Sequence, residues 1–232
     1  MLRYQVALSD ISFKVMGANL RLFKAMHLPV ISTARPFEFY RKVFFEDACQ
    51  ADVLSSLASK RVVDIGCGLT PFTEDSMFQV CRRSGVDFYG IDPKLADGFK
   101  FGLFDRLKSV ATGATSMPRA DMPGQEKAIA AFADNLPFAD QSVDLILSCW
   151  LLFAWIQDET LLVLIFTEFD RVLVPGGHIS LFPTMGWPSV ERRYPSLAKL
   201  LASYQVSQRF LVGVNPSSMP PTFVTRLVKY LI

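Results

Sequence analysis

Histidine is scarce in this 232-residue chain, which has only His27 and His178, and its four cysteines, Cys49, Cys67, Cys81 and Cys149, lie far apart with no C-x-x-C pair. No Cys/His cluster therefore has the spacing of zinc ligands, no metal is expected, and separate reduced thiols are the reading. Charge runs are missing too. Twenty-four lysines and arginines against 22 acids leave 24 − 22 = +2, and no window holds five like charges in succession. Nucleic acid is disfavoured as a partner, because phosphate binding needs clustered cations. The longest uncharged stretch of the apolar middle, Leu145 to Gln157, falls short of the roughly 20 residues of a bilayer crossing, so no spanning membrane segment is expected. The N-terminus, MLRYQVALSDISFKVMG, lacks an apolar block followed by small residues. It does not read as a signal peptide, and a cytoplasmic location is expected.

Apolar residues are plentiful: half the chain is hydrophobic, 20% is charged, and phenylalanine occurs 20 times. General disorder is excluded. The length suits one α/β domain with a helical extension. Residues 1–58 read as that extension, with helical spacing in SFKVMGANLRLFKAM and EFYRKVFFEDACQADVLSSLA on either side of Pro29 to Pro36, and 59–232 as the main domain.

From Arg61 the chain reads as strand, Gly-x-Gly turn and a helix over Pro71–Ser84, with Thr70 as N-cap and Pro71 as first helical residue. VDFYGID (86–92) and EKAIAAFAD (126–134) read as second and third strands, each ending on a carboxylate. SVDLILSCW (142–150) is a continuous apolar run suited to a strand buried on both faces. Asp158–Val174 reads as a helix stopped by Pro175-Gly176-Gly177, HISLFPT (178–184) as a fifth strand, and 189–204 as another helix. RFLVGV and TFVTRLVKYLI read as a closing hairpin. The alternation is βαβ, with no internal repeat.

In this order the motifs resemble those of the class I S-adenosylmethionine-dependent methyltransferases, over residues 40–232. VVDIGCG (62–68) is similar to the family's D-x-G-x-G, FYGIDP (88–93) to the acidic end of its second strand, ADNLPFADQSVDLIL (133–147) to its third loop and fourth strand, and RVLVPGGHISL (171–181) to the turn before its fifth strand. The resemblance implies a Rossmann-like, seven-stranded, mainly parallel sheet in order 3-2-1-4-5-7-6 with an N-terminal helical cap. It also implies S-adenosylmethionine as cofactor and a small-molecule acceptor.

The residue types fit that reading. Gly66 and Gly68 permit a tight turn and close approach to the main chain. A dinucleotide site would place a diphosphate at the following helix N-terminus, but Glu74 and Asp75 in its expected first turn would repel it. The cationic sulfonium and ammonium of S-adenosylmethionine suit Asp64 and the Gly66 to Gly68 carbonyls. Asp92, 24 positions beyond Gly68, stands where a carboxylate accepts two ribose hydroxyls. The resemblance implies that Asp134 accepts from the adenine amino group, that the Asn135 N–H faces the ring, and that Ile91, Leu136 and Cys67 line it. Ile65, Pro93, Ser148 and Cys149 complete the expected donor site.

Departures narrow the acceptor. The usual third glycine is replaced in Gly66-Cys67-Gly68-Leu69-Thr70. The fourth strand ends in Ser148-Cys149-Trp150-Leu151 instead of Asn/Asp-Pro-Pro-Tyr, which disfavours adenine and glutamine acceptors. The apolar Phe153–Ile156 run offers a guanidinium nothing. A small, rather apolar acceptor is expected, in a pocket built by the N-terminal helices and the Lys94–Gln125 insertion, with Phe99, Phe101, Phe104 and Met117 as its lining. The alternative is a catalytically silent fold member that binds the nucleoside or a protein partner.

Plainer readings stand beside several of these. Asp134 also suits an Asx turn, His178 and His27 a structural role, Cys149 simple packing, and Arg35 the surface, although it could meet the donor's carboxylate. Tyr40, Glu38, Asp158 and Glu159 are candidate bases, with none singled out. Leu161 to Phe166 in the 158–174 helix is apolar all round, so a second surface should cover it. The helix is too poor in Lys and Arg for a membrane surface, and a homodimer is expected slightly ahead of coverage by the N-terminal helices.

Overall fold

The computed structural model describes residues 3–26, 34–97, 117–212 and 221–230. Three helices, α1 (Arg3–Ala25), α2 (Phe37–Phe44) and α3 (Gln50–Leu57), precede β1 (Arg61–Ile65). There follow α4 (Met77–Arg83), β2 (Asp87–Ile91), β3 (Ala128–Ile129), β4 (Val143–Cys149), α5 (Glu159–Val172) and β5 (Leu173–Thr184). The chain then forms α6 (Trp187–Arg193), α7 (Pro195–Leu200), β6 (Tyr204–Leu211) and β7 (Thr222–Lys229). The strands form one seven-stranded sheet in the order 3-2-1-4-5-7-6. Pairing is parallel from β3 to β5 and antiparallel through β7 and β6. This is the Rossmann-like order that the motifs imply.

Side chains alternate between the two faces of each strand, and the sheet separates two apolar layers. Val63, Ile65, Val143 and Ile146 join α5, Leu197 and Phe13 on one side. Val62, Leu145 and Leu147 join α2, α3 and α4 on the other. On α5, Leu162, Ile165, Phe166, Phe169 and Val172 are buried at helical spacing, and Asp158 caps it by accepting from the Leu161 N–H at 2.9 Å.

Several elements differ from the sequence-based expectation. The expected Pro71–Ser84 helix is a single 3₁₀ turn, Thr70–Phe72, followed by α4, whose N-cap is Ser76 and not Thr70. Glu74 and Asp75 thus stand ahead of α4 and not in its first turn. The third strand keeps two of its nine expected residues, because only Ala128 and Ile129 find partners on β2. Pro175-Gly176-Gly177 lies inside β5 instead of before it. The 189–204 helix is two helices, broken where Pro195 restarts the chain.

The second apolar face of α5 is covered from within the chain. Leu161 and Val163 are half-buried against the cluster that holds Tyr194, Leu197 and Leu201, and Glu159 Oε1 accepts from Ser196 N at 2.6 Å. Leu164 alone of the Leu161 to Phe166 run is exposed, at 53%. The cover is the 194–201 segment, and the reason for expecting a second copy at this helix is gone.

Candidate functional site

β1 lies at the centre of the sheet, and its C-terminal end opens into the Gly66 to Gly68 turn. Gly66 and Gly68 have φ of 73° and 57°, conformations that L side chains rarely adopt. A Cβ on Gly66 would also meet Leu151 at 3.1 Å, so the group that closes on this glycine is the segment after β4. The turn is held to β2 by Gly66 N and Cys67 N, which donate to Ile91 O at 2.8 and 3.2 Å. Asp92 follows directly, half-buried, with Oδ2 accepting from Gly68 N at 3.1 Å and Oδ1 from Lys94 N at 3.0 Å. Two backbone donors thus aim this carboxylate across the end of the sheet, and exposed Pro93 opens a 3₁₀ turn behind it.

Asp64 is fully buried one residue before the end of β1. Its Oδ2 accepts from the Tyr40 hydroxyl at 2.6 Å, while Oδ1 is buried with no hydrogen-bond partner among the described residues. The Thr70 hydroxyl donates to Cys67 O at 2.9 Å and also lies close enough to Asp64 to favour its anion. Burial pushes the Asp64 carboxyl up to about 6, against the lowering by the Tyr40 hydrogen bond and the Arg35 charge.

Arg35, read from sequence as a surface residue, is 8% exposed. It donates from Nη2 to Cys149 O at 3.0 Å, and its Nη1 is buried with no hydrogen-bond partner among the described residues. Burial opposes the guanidinium charge, yet Cys149, Tyr40 and Asp64 hold its pKa above the ordinary value. One buried carboxylate oxygen and one buried guanidinium nitrogen are therefore left unsatisfied in the same neighbourhood. An unpaired buried polar group costs on the order of 1–3 kcal/mol.

Ser148 and Cys149 close the end of β4. The Ser148 hydroxyl donates to Ile65 O at 3.2 Å, and burial pushes the Cys149 thiol up to about 12, which leaves it a packing group. Cys67 is buried as well, with Sγ 3.0 Å from where a Cβ on Gly90 would lie. Its side chain fills the β2 side of the turn. Ile91 is buried beside it.

The 133–140 loop brings up the remaining expected residues. Asp134 and Asn135 are exposed, and the Asn135 N–H is already engaged with Phe132 O at 3.2 Å. Leu136 is buried, and its N–H donates to Glu168 Oε1 at 2.7 Å. Arg171 then ties the loop to α5, donating to Leu136 O at 3.2 Å, Phe138 O at 2.9 Å and Asp140 Oδ1 at 2.6 Å.

None of the four expected candidate bases is poised as one. The Tyr40 hydroxyl donates a hydrogen bond to Asp64, Asp158 caps α5, Glu159 accepts from the start of α7, and Glu38 pairs with Arg41 at 2.7 Å. His178 lies toward the far end of the sheet, facing Lys60 and Arg226. Burial and those two cations lower it to about 3, so it is neutral.

Three features escaped the sequence reading: the burial of Arg35, the Tyr40 to Asp64 bond, and an aromatic group at the end of β4. There half-buried Phe39, Phe44 and Trp150 surround Cys149 and Phe182, with Trp150 edge-on to Phe182 at 6.4 Å. A single cation among Ala34, Pro36 and Phe37 was the one sequence signal for a buried Arg35. Of the expected acceptor lining, Phe99, Phe101 and Phe104 lie outside the described residues, as does His27, and Met117 is 52% exposed. Among the described residues no His, Cys, Asp or Glu group could hold a metal, and no helix is long and apolar enough to cross a membrane.

Residues 103–181 match the methyltransferase domain family model. The match takes in the 133–140 loop, Ser148 and Cys149, and begins after the glycine turn and Asp92. No curated protein matches the chain. Among solved structures the chain is similar to an S-adenosylmethionine-dependent methyltransferase of Methanosarcina mazei, at 17% identity and a TM-score of 0.49 over 78% of this chain and 98% of that one. It is similar to the N-methyltransferase NodS of Bradyrhizobium japonicum at 19% identity and 0.45, over 76% and 89%. It is also similar to the geranyl diphosphate C-methyltransferase of Streptomyces coelicolor at 14% and 0.41, over 78% of each chain. Likenesses of this size say nothing of a shared substrate. The strand order is thus the Rossmann-like one, and a third of the chain, residues 103–181, is similar to the methyltransferase domain family.

Proposed function

We propose that this protein transfers a methyl group from S-adenosylmethionine to a small, rather apolar acceptor. The observation that carries the donor reading is the pair of unsatisfied buried atoms, Asp64 Oδ1 and Arg35 Nη1. An amino-acid end needs opposite charges in that arrangement, a carboxylate for its ammonium and a guanidinium for its carboxylate. Asp92, oriented by Gly68 N and Lys94 N, retains lone pairs for two ribose hydroxyls. Leu136 and Ile91 offer apolar contact to the base, with Asp134 as the exposed acceptor for its amino group. Ile65, Pro93 and Ser148 frame the turn, and Cys67 and Cys149 support it by packing.

When bound, S-adenosylmethionine supplies a methyl group on a sulfonium, already an excellent leaving group. The chain's part is to align the acceptor and exclude water. Phe39, Phe44 and Trp150 around the end of β4 favour a flat or greasy acceptor over a charged one. Residues 1–58 supply two of those rings and the buried arginine, which is the role of a cap.

A second reading has its own support. Because all four candidate bases are engaged elsewhere, a silent member that binds the nucleoside or a protein partner fits as well for any acceptor that must lose a proton. Calorimetric titration with S-adenosylmethionine and S-adenosylhomocysteine tests the donor site. Micromolar binding of either is expected; a folded protein that binds neither would overturn the proposal and leave the protein-partner reading.

A further inference from the structure

One face of α1 packs on the domain. Val6 lies against Gly186, the Ser9 hydroxyl accepts from Gly186 N at 3.2 Å, and the Ser12 hydroxyl donates to Pro221 O at 2.9 Å. Phe13 is buried in the main core, and Asp10 accepts from the Ser189 hydroxyl at 2.8 Å. Gly186 follows the end of β5 and Pro221 precedes β7, which pairs antiparallel with β5. The helix therefore lies across the edge of the sheet at which β1, β2 and β4 also end.

The opposite face of α1 is apolar and has no partner among the described residues. Tyr4, Leu8, Ile11, Val15 and Leu22 are exposed at 62%, 38%, 57%, 53% and 57%. Their spacing of four, three, four and seven keeps them on one stripe along a helix of 23 residues, about 35 Å long at its usual rise. The charges that flank the stripe are all of one sign. Arg3, Lys14 and Arg21 are exposed, while Asp10, the one acid of the helix, is half-buried on the packed side. Just beyond it on α6, Arg192, paired with Asp10 at 3.7 Å, and Arg193 are exposed beside one exposed acid, Glu191.

We infer that α1 is a membrane-surface helix that lies in the headgroup region of an anionic bilayer. An apolar stripe edged by cations, on a helix too polar to span, is the pattern of an interfacial helix. Anionic lipids attract juxtaposed lysines and arginines. A second copy of the chain is the weaker occupant, because two such helices would bring the same cationic edges together. The inference does not depend on methyl transfer. It does place the lipid surface at the same edge of the sheet as the proposed donor site.

The test is sedimentation of the full chain with vesicles of phosphatidylcholine alone and of equal parts phosphatidylcholine and phosphatidylglycerol. Binding to the anionic vesicles is expected, weakening as salt is raised. Lys14→Glu with Arg21→Glu should weaken it about tenfold or more, and Ile11→Ser with Val15→Ser should abolish it. All four side chains are exposed, and an unchanged circular dichroism melt shows that each variant is folded. Equal partition of wild type and the serine variant, or no binding to anionic vesicles, would overturn the inference. So would a wild-type dimer in light scattering that the serine pair turns to monomer, since a second copy would then cover the stripe.

Discussion

The Tyr40 hydroxyl donates to Asp64 Oδ2 at 2.6 Å, both groups being sealed from solvent. This contact joins the N-terminal segment to the centre of the sheet. Burial raises the carboxyl of Asp64 and the hydroxyl bond opposes that rise, so Tyr40 keeps the acid available as an anion near neutral pH. Tyr40→Phe should lower the unfolding free energy by about 1–3 kcal/mol, the range for a hydrogen bond to a buried charge. Urea unfolding measures it, and an unchanged midpoint would show that the bond is not stabilising.

Asp92→Ala should weaken S-adenosylhomocysteine by about 1.5–3 kcal/mol through the loss of charged hydrogen bonds to two hydroxyls. The fold should survive, since the Asp92 side chain bonds two backbone donors of a surface turn and not the core. Calorimetry on the folded variant checks this, and an unchanged dissociation constant would remove Asp92 from the site.

Arg171 secures the 133–140 loop with bonds to Leu136 O, Phe138 O and Asp140. Arg171→Ala should speed amide exchange across residues 135–141 while leaving β4 protected. Exchange at wild-type rates in that loop would mean that the Glu168 to Leu136 bond suffices to hold it.

His178 has a native pKa lowered to about 3, below its unfolded value of about 6.5. The unfolded chain therefore binds the proton first, and stability that is whole at neutral pH is lost as pH falls from about 6.5 toward 3. At pH 5 the loss is about 2 kcal/mol. Asp64 acts in the opposite sense, because its native value is raised, so the total slope mixes the two. His178→Gln isolates the histidine. The variant should lose less stability than wild type between pH 7 and 5, and equal losses would contradict the assignment.

The sheet order was legible through the resemblance that four spaced motifs carry, with βαβ punctuation in agreement. Element ends were less so. Pro175-Gly176-Gly177 looked like a stop but is a stretch of β5, and the third strand shrank to Ala128 and Ile129 because strand pairing is a tertiary choice. Asp64, Gly66, Gly68 and Asp92 do meet at one edge, as their spacing suggested. The partners of Asp64 were invisible, since Arg35 and Tyr40 come from a segment whose docking no local pattern reports. The cover over α5 was likewise a matter of packing: the 194–201 segment is amphipathic on a scale too short to announce a face.

The central claim is that Arg35 and Asp64 receive the two charges of an amino-acid end. It is tested most directly by titrating wild type and Arg35→Lys with S-adenosylhomocysteine and with 5′-methylthioadenosine, which lacks that end. Wild type should prefer the former. Arg35→Lys should cut that preference by about tenfold, the loss of the charge-assisted hydrogen bond from Nη1, while leaving 5′-methylthioadenosine unaffected. Equal affinity of wild type for the two ligands, or a preference untouched by the substitution, would contradict it.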